Sequence, residues 1–135
     1  MINTKPLTSV LLTGSGQLGS RYLQGLYGLS ECLSITVVDP SEASLTIAKK
    51  RLSQVQQKAA HKIQFTKSLD AAPQLVELAL VVTPANCRTQ IVEQISNNIQ
   101  VNSWILEKVL AQSCDQINQI EQLLGNNPQV WVNTP

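Results

Sequence analysis

The chain passes from the apolar run Val10-Leu11-Leu12 directly into Thr13-Gly14-Ser15-Gly16-Gln17-Leu18-Gly19, and an amphipathic segment over residues 18–29 follows. This order predicts a strand, a glycine turn and a helix. In such a turn the first glycine permits the tight bend, the second lets the backbone approach a pyrophosphate, and the third lets the helix lie close to its strand. The N–H groups of the first helical turn then point at the phosphates. The stretch therefore predicts a dinucleotide-binding turn.

The end of the second predicted strand carries an acidic residue at the distance that such a turn requires. The run Ile35-Thr36-Val37-Val38 ends in Asp39, which lies 20 residues after Gly19. A carboxylate at this place accepts the ribose hydroxyls of the adenosine half of a dinucleotide and disfavours a 2′-phosphate. We therefore expect NAD to be preferred over NADP. The alternative interpretation is that the glycines serve only the turn and its packing, and that Asp39 caps the next helix.

Size and composition limit the classes of function. At 135 residues the chain has the length of one domain, and we predict a single dinucleotide-binding domain over residues 1–135. A net charge of +1 and a charged fraction of 14% give no electrostatic footprint for nucleic acid or for an anionic membrane. The apolar runs are only strand-length, and the N-terminal residues lack the apolar core of a signal peptide. We expect a cytoplasmic protein whose partners are small molecules.

The cysteines and the single histidine give no sign of a metal site or a disulfide. The three cysteines are widely spaced and odd in number, which is typical of reduced thiols in an intracellular protein. We expect Cys32, Cys87 and Cys114 to be small buried hydrophobes. His61 has no Asp, Cys or second His at ligand spacing.

Beyond Asp39 the apolar pattern alternates between the periods of strands and helices. It predicts helices over residues 41–60, 87–99 and 114–124, and strands over residues 62–66, 78–82, 104–106 and 130–132. The basic run Lys49-Lys50-Arg51 is interpreted as a solvent-facing part of the first of these helices. Short loops between alternating strands and helices indicate right-handed crossovers. The predicted fold class is α/β, a doubly wound parallel six-stranded Rossmann sheet in the order 3-2-1-4-5-6 with helices on both faces.

Ligands of such a sheet bind beyond the carboxyl ends of the strands, where the strand order reverses between strands 1 and 4. The loops after Leu12, Asp39, Val82 and Leu106 should therefore border one crevice.

Three segments at this crevice resemble a known family. They are Gly14-Ser15-Gly16-Gln17-Leu18-Gly19-Ser20-Arg21, Val81-Val82-Thr83-Pro84 and Leu106-Glu107-Lys108-Val109-Leu110-Ala111. Together they resemble the N-terminal domain of the Gfo/Idh/MocA oxidoreductases, a family that includes glucose–fructose oxidoreductase and inositol dehydrogenase. That family carries a threonine-proline turn after strand 4 and a Glu-Lys-Pro-Leu-Ala-like run after strand 5. The resemblance spans nearly the whole chain.

The resemblance implies roles for several residues. Thr83 and Pro84 would pack near the nicotinamide ribose. Lys108 would be the catalytic residue that faces nicotinamide and substrate, and Glu107 would help to position the crevice. From the residues alone, Lys108 is either such a group or a solvated lysine after a strand. The pattern and the resemblance together assign these residues to the cofactor: Gly14, Ser15, Gly16, Gln17, Leu18, Gly19, Asp39, Thr83, Pro84 and Glu107.

Two positions depart from the family's pattern. Val109 stands where the family usually has a proline after the lysine, and Arg88 stands where a histidine often follows the threonine-proline turn by four residues. Because a proline would give a rigid turn that presents the lysine, its absence bears on the role of Lys108.

Members of the family continue past the sixth strand into a second domain that binds substrate, whereas this chain stops at Asn133-Thr134-Pro135. We therefore expect an N-terminal fragment that lacks the substrate domain and is inactive alone; the other interpretation is a stand-alone nucleotide-binding module. A sixth strand left uncovered around Trp131 would favour a homo-oligomer.

The expected function is that of the NAD-binding domain of an oxidoreductase, which transfers hydride between the nicotinamide cofactor and a sugar- or polyol-like substrate. The alternative is a regulatory module that senses NAD(H) without catalysis, since the fold alone does not separate the two. A methyltransferase that binds an adenosyl ligand is disfavoured by the full three-glycine pattern.

Overall fold

The computed structural model describes residues 6–127 and 129–134, in which strands and helices alternate. The strands are β1 (Thr8–Thr13), β2 (Leu33–Val38), β3 (Lys62–Thr66), β4 (Leu75–Val81), β5 (Gln100–Glu107) and β6 (Val130–Asn133). The helices are α1 (Gln17–Tyr27), α2 (Glu42–Leu52), α3 (Ala85–Asn98) and α4 (Cys114–Leu124), with a short 3-10 turn at Leu69–Ala71. Residues 1–5, in which the sequence lacks a signal-peptide core, and Pro135, at which the chain stops, lie outside the described residues.

The six strands form one parallel sheet in the order β3-β2-β1-β4-β5-β6. The predicted fold class and strand order are confirmed. In the middle of the sheet Thr13 of β1 lies opposite Val81 of β4, so these two strands end at the same level. The order reverses between them, and the loops that follow therefore leave a crevice at the carboxyl edge of the sheet.

Alternate side chains of the strands fill a core on each face of the sheet, because successive strand residues point to opposite sides. In β1, Leu11 belongs to the core under α3 and α4, whereas Val10 and Leu12 belong to the core under α1 and α2. The first core contains the buried residues Val81, Val92, Ile95, Trp104, Leu106 and Ile120, and the second contains Leu23, Ile35, Val37, Leu45 and Ala48. The helices thus cover both faces, as predicted.

The helix predicted over residues 41–60 was too long, because α2 ends at Leu52. Val55 and Ala59 continue its spacing but lie in an irregular segment. The Ser53 hydroxyl donates to the carbonyl oxygen of Lys50 at 2.6 Å, and Nε2 of Gln24, from α1, donates to that of Arg51 at 2.8 Å. These bonds compete for the carbonyl oxygens that a further helical turn would use.

The exposure of the three cysteines and of Trp131 bears on two further expectations from the sequence. Cys32 and Cys114 are exposed and Cys87 is half-buried, so the expectation of buried thiols was wrong. Cys32 directly precedes β2, and Cys87 and Cys114 lie in the first turns of α3 and α4. Trp131 of β6 is 55% exposed, and self-association through this strand stays a prediction.

The described residues hold neither a metal-binding cluster nor a helix that could span a membrane. Within residues 6–127 and 129–134 no group of three or more His, Cys, Asp or Glu side chains is arranged to hold a metal. Over the same stretch of chain, no helix combines the length and apolarity needed to cross a bilayer.

Candidate functional site

A crevice of about 530 Å³ lies at the carboxyl edge of the sheet, where β1 and β4 end. The four loops predicted to share a crevice all contribute to it. Of the residues assigned from sequence, those that line it are Gly14, Gly16, Gln17, Leu18, Gly19, Asp39, Thr83, Pro84, Glu107 and Lys108. Ser15 is fully buried and does not line it. The sequence interpretation missed five further lining residues, namely Ser44, Val82, Ala85, Arg88 and Val109.

The three glycines of the turn differ in what surrounds them. Gly14 has a φ of +89°, and a Cβ there would lie 2.9 Å from the main chain of Val82 and Thr83. A Cβ on Gly19 would lie 1.8 Å from the carbonyl oxygen of Gly14. By contrast, apart from Gly16 itself and its two chain neighbours, no atom of the described residues lies within 4 Å of a Cβ built on Gly16. Packing within the protein therefore explains why a glycine is needed at positions 14 and 19. At position 16 the missing side chain leaves space in the crevice.

Two helices begin at the crevice without a side-chain cap. Gly16 precedes α1 and Pro84 precedes α3, and neither supplies a capping hydrogen bond within the described residues. The side chains of Ser41 and Ser113 do cap α2 and α4. The first N–H groups of an uncapped helix need other partners, and the helix dipole makes this end favourable for an anion. The crevice is therefore bordered by the first turns of two helices that no side chain caps, although in α3 the N–H of Cys87 donates to the Pro84 carbonyl oxygen at 3.1 Å.

Asp39 is buried at the end of β2 and joins the turn to the next helix. Its Oδ2 accepts hydrogen bonds from the main-chain N–H of Ser15 at 2.8 Å and from the Ser15 hydroxyl at 3.0 Å. Its Oδ1 accepts one from the N–H of Ser41 at 2.9 Å. The side chain that caps α2 is Ser41 and not Asp39. Since an ionised carboxylate has about four acceptor positions, these bonds leave room for a ligand hydroxyl.

The interpretation of Lys49-Lys50-Arg51 as a solvent-facing part of a helix was wrong for Arg51. The side chain is half-buried, and Nη1 donates to the Ser20 hydroxyl at 2.6 Å and to the Gln17 carbonyl oxygen at 3.2 Å. Nη2 donates to Oε1 of Gln17 at 2.9 Å. Arg51 therefore braces the first turn of α1. Neighbouring helix positions point about 100° apart, so one member of a basic run can face inward while Lys49 and Lys50 stay exposed.

Glu107 lies at the end of β5 and is held by two polar side chains. Its Oε1 accepts a hydrogen bond from the Tyr22 hydroxyl and another from Nδ2 of Asn133 at 2.6 Å. Nδ2 of Asn133 also lies 2.6 Å from the Tyr22 oxygen. Burial, together with the hydrogen bond to Glu107 and its negative charge, raises the pKa of Tyr22 to about 12. Tyr22 therefore stays a protonated donor at neutral pH, and α1, β5 and β6 are tied together at one corner of the crevice.

Arg88 is 2% exposed and lies between the loop after β4 and the loop after β5. Nη2 donates to the Thr83 carbonyl oxygen at 2.5 Å, and Nη1 donates to the carbonyl oxygens of Val109 and, at 3.2 Å, Leu110. Burial lowers the pKa of the guanidinium from its ordinary value, and the charge of Glu107 opposes that change. The two positions that depart from the family's pattern, Arg88 and Val109, are thus in direct contact.

The remaining site residues lie at the end of the crevice near α3. Lys108 is exposed there, and its peptide bond to Val109 is cis. Thr83 is buried, and its hydroxyl oxygen has no hydrogen-bond partner among the described residues. Because a buried hydroxyl without a partner is costly, this atom is available to a polar group of a molecule that enters the crevice.

Comparison with known proteins identifies the fold. No protein-family model matches the chain, and no curated protein matches it by sequence. Among solved structures, it is similar to myo-inositol 2-dehydrogenase from Lactobacillus plantarum, with a TM-score of 0.68 and 17% identity over 96% of this chain and 36% of that one. It is also similar to the WlbA dehydrogenase from Chromobacterium violaceum, solved with NADH and UDP-GlcNAcA, with a TM-score of 0.71 and 16% identity over 96% and 36% of the two chains.

A third similar structure is a regulator. The transcriptional regulator Gal80p from Kluyveromyces lactis matches with a TM-score of 0.68 and 16% identity over 98% of this chain and 34% of that one. At these identities the likeness establishes a shared fold, which agrees with the Rossmann architecture predicted from sequence. The chain spans about a third of the length of the structures it matches.

Proposed function

We propose that this chain is the NAD(H)-binding domain of an oxidoreductase of the Gfo/Idh/MocA type, which transfers hydride between the cofactor and a sugar- or polyol-like substrate. The observation that carries the proposal is Gly16. Its missing side chain relieves no contact within the protein, and it stands at the uncapped start of α1. A ligand with a pyrophosphate would use both the open space and the free N–H groups.

The adenosine half of the cofactor fits the other end of this turn. Asp39 lines the crevice with about one acceptor position left on Oδ1, and its position is set by Ser15 and Ser41. Its carboxylate would accept a hydrogen bond from a ribose hydroxyl, and its charge would oppose a 2′-phosphate. NAD is therefore the proposed cofactor, and NADP is the weaker ligand.

The nicotinamide half would lie between the loops after β4 and β5. The unpartnered hydroxyl of Thr83 would bond to the ribose or carboxamide, and Pro84 would pack beside it. When bound, the nicotinamide ring supplies the hydride chemistry. Lys108, exposed at this end, would direct its ammonium group at the substrate oxygen, where negative charge develops during hydride transfer.

Two of the similar structures support the substrate class. One is an inositol dehydrogenase, and another was solved with NADH and a nucleotide sugar acid. Both chains are almost three times as long as this one, and the crevice is open beside Lys108. We therefore propose that a further domain of the enzyme supplies the substrate walls, and that residues 1–135 alone bind the cofactor without turnover.

A second candidate function is that of a regulatory module that senses NAD(H). The similarity to the regulator Gal80p favours it, because a protein with this fold acts there in transcription. A sensor would need the glycine turn and Asp39 but would have no chemical need for Lys108. The effect of replacing Lys108 therefore separates the two functions.

Calorimetric titration of residues 1–135 with NADH and with NADPH tests the proposal. We expect NADH to bind more tightly, and Asp39→Asn to change the ratio of the two dissociation constants by about tenfold in favour of NADPH. Asp70→Asn is the matched control, since Asp70 is exposed and does not line the crevice. Tighter binding of NADPH than of NADH by the unchanged chain would contradict the cofactor assignment, and no binding of either would contradict the function.

A further inference from the structure

The loop of residues 108–110 is attached to the rest of the protein mainly through its main chain. Lys108 is exposed and the Val109 side chain is 69% exposed, so neither side chain anchors the loop by burial. The first side chain of the loop that packs on the core is Leu110, and it is only partly buried. What holds Val109 in place is the guanidinium of Arg88, which donates to its carbonyl oxygen.

The same guanidinium also binds the loop that follows β4. Its second terminal nitrogen donates to the carbonyl oxygen of Thr83, in the loop after β4. Thr83 and Lys108 both line the crevice, in the loops that follow the neighbouring strands β4 and β5. One planar group with fixed donors therefore sets the spacing of the two loops.

Arg88 is a buried arginine whose hydrogen bonds among the described residues involve no carboxylate. Among the described residues its terminal nitrogens bond only to main-chain carbonyl oxygens, and Nε has no partner. A buried charge without a hydrogen-bonded carboxylate is costly. Such an arrangement is unexplained by core packing, since an apolar side chain would fill the same space without the charge.

We propose that Arg88 is a positioning residue for the cofactor site, which clamps the loop of residues 108–110 to the Thr83 loop and so shapes the nicotinamide end of the crevice. This inference rests on the proposed function. Arg88 acts through the main chain of the two loops and touches neither reacting group. A lysine at this place has a single nitrogen, so it reaches the carbonyl oxygens of one loop and leaves the other free.

The first experiment needs no ligand and measures how readily the loop of residues 108–110 opens with and without the Arg88 side chain. Trypsin cleaves after lysine when the local chain opens, and Lys108 offers such a bond in the clamped loop. In Arg88→Gln and Arg88→Met we expect cleavage after Lys108 to accelerate by about fivefold or more, as the loss of one or more hydrogen bonds predicts. Cleavage after Lys58, in the irregular segment after α2, is the internal control and keeps its rate. Arg21→Met, which removes an exposed arginine of α1, is the control variant.

The second experiment tests whether Arg88 affects binding of the nicotinamide half of the cofactor or of the whole molecule. Calorimetry compares NADH with ADP-ribose, which lacks the nicotinamide. In Arg88→Gln we expect the NADH affinity to fall by about fivefold and the ADP-ribose affinity to stay within about twofold, with Arg88→Lys between the wild type and Arg88→Gln. A merely structural arginine would weaken both ligands together, because both need the same folded turn.

The outcomes separate the two proposals. If the unchanged chain binds neither ligand, the proposed function fails, and with it the cofactor part of this inference. If it binds both and Arg88→Gln weakens them equally or not at all, the positioning role is overturned. Equal acceleration of cleavage after Lys58 and Lys108 overturns the clamp itself, because it shows general unfolding instead of local opening.

Discussion

Ser15 donates two hydrogen bonds to the same carboxylate oxygen of Asp39, one from its main-chain N–H and one from its hydroxyl. Both residues are buried, and they lie at the ends of neighbouring strands. The glycine turn and the acidic strand end are therefore one unit, in which the position of the carboxylate depends on the conformation of the turn.

Replacing Ser15 with alanine should loosen this unit. A hydrogen bond to a charged group contributes about 1.5–3 kcal/mol, so the free energy of unfolding of Ser15→Ala should fall by about 1.5 kcal/mol. The affinity for NADH should fall as well, because Asp39 loses one of the groups that fix it. Urea denaturation and NADH titration measure the two effects, with the exposed Ser30→Ala as control. An unchanged NADH affinity would show that the main-chain bond alone is sufficient.

The glycines of the turn should respond differently to alanine. Gly16→Ala places its Cβ in open space, so the free energy of unfolding should change by less than about 1 kcal/mol while NADH affinity falls by about tenfold. Gly19→Ala forces its Cβ against the Gly14 carbonyl oxygen, and we expect a loss of about 3 kcal/mol of stability. Thermal denaturation and calorimetry of both variants test the contrast.

The opposite pattern would be informative. If Gly16→Ala unfolds the protein or leaves NADH binding intact, Gly16 serves the turn and not a ligand. That result would favour the interpretation in which the glycines have only a packing role.

The sequence predicted the fold well because its signals are local. The glycine turn after β1 and the apolar period of each strand depend on neighbouring residues, and these set the order of elements. The end of α2 was missed because Gln24 of another helix bonds to its last turn. For the same reason Arg51 was wrongly predicted to face solvent, and Arg88 was given no role. Each bonds to residues that are distant in sequence. Burial of a charged side chain has no periodic signature in a single sequence.

Tyr22 should make the stability of the fold depend on alkaline pH. Its pKa rises from the ordinary value of 10.0 to about 12 in the folded state, through burial and through Glu107. The contribution is fully present below pH 10 and is lost as the pH rises through 12, because in that window only the unfolded state releases the proton. In Tyr22→Phe this part of the pH dependence should disappear.

The titration can be measured directly, because the chain contains only two tyrosines. In Tyr27→Phe the remaining tyrosinate absorbance belongs to Tyr22, and its midpoint should lie near 12. A midpoint near 10 would mean that in solution the Tyr22 hydroxyl is neither buried nor held by Glu107.

Lys108 decides between an enzyme and a sensor. If the proposed oxidoreductase function holds, Lys108→Met should lower kcat/KM for the best sugar or polyol substrate by about a hundredfold, because the ammonium group acts where charge develops in the transition state. The affinity for NADH should change by less than about threefold, since the phosphates and the adenosine ribose are held elsewhere in the crevice. Steady-state kinetics beside NADH titration measure both quantities, and Lys58→Met, at an exposed position away from the crevice, is the matched control. Unchanged turnover would make Lys108 a solvated lysine after a strand, and the NAD(H)-sensing function would then be the better account of a domain that keeps Gly16 and Asp39.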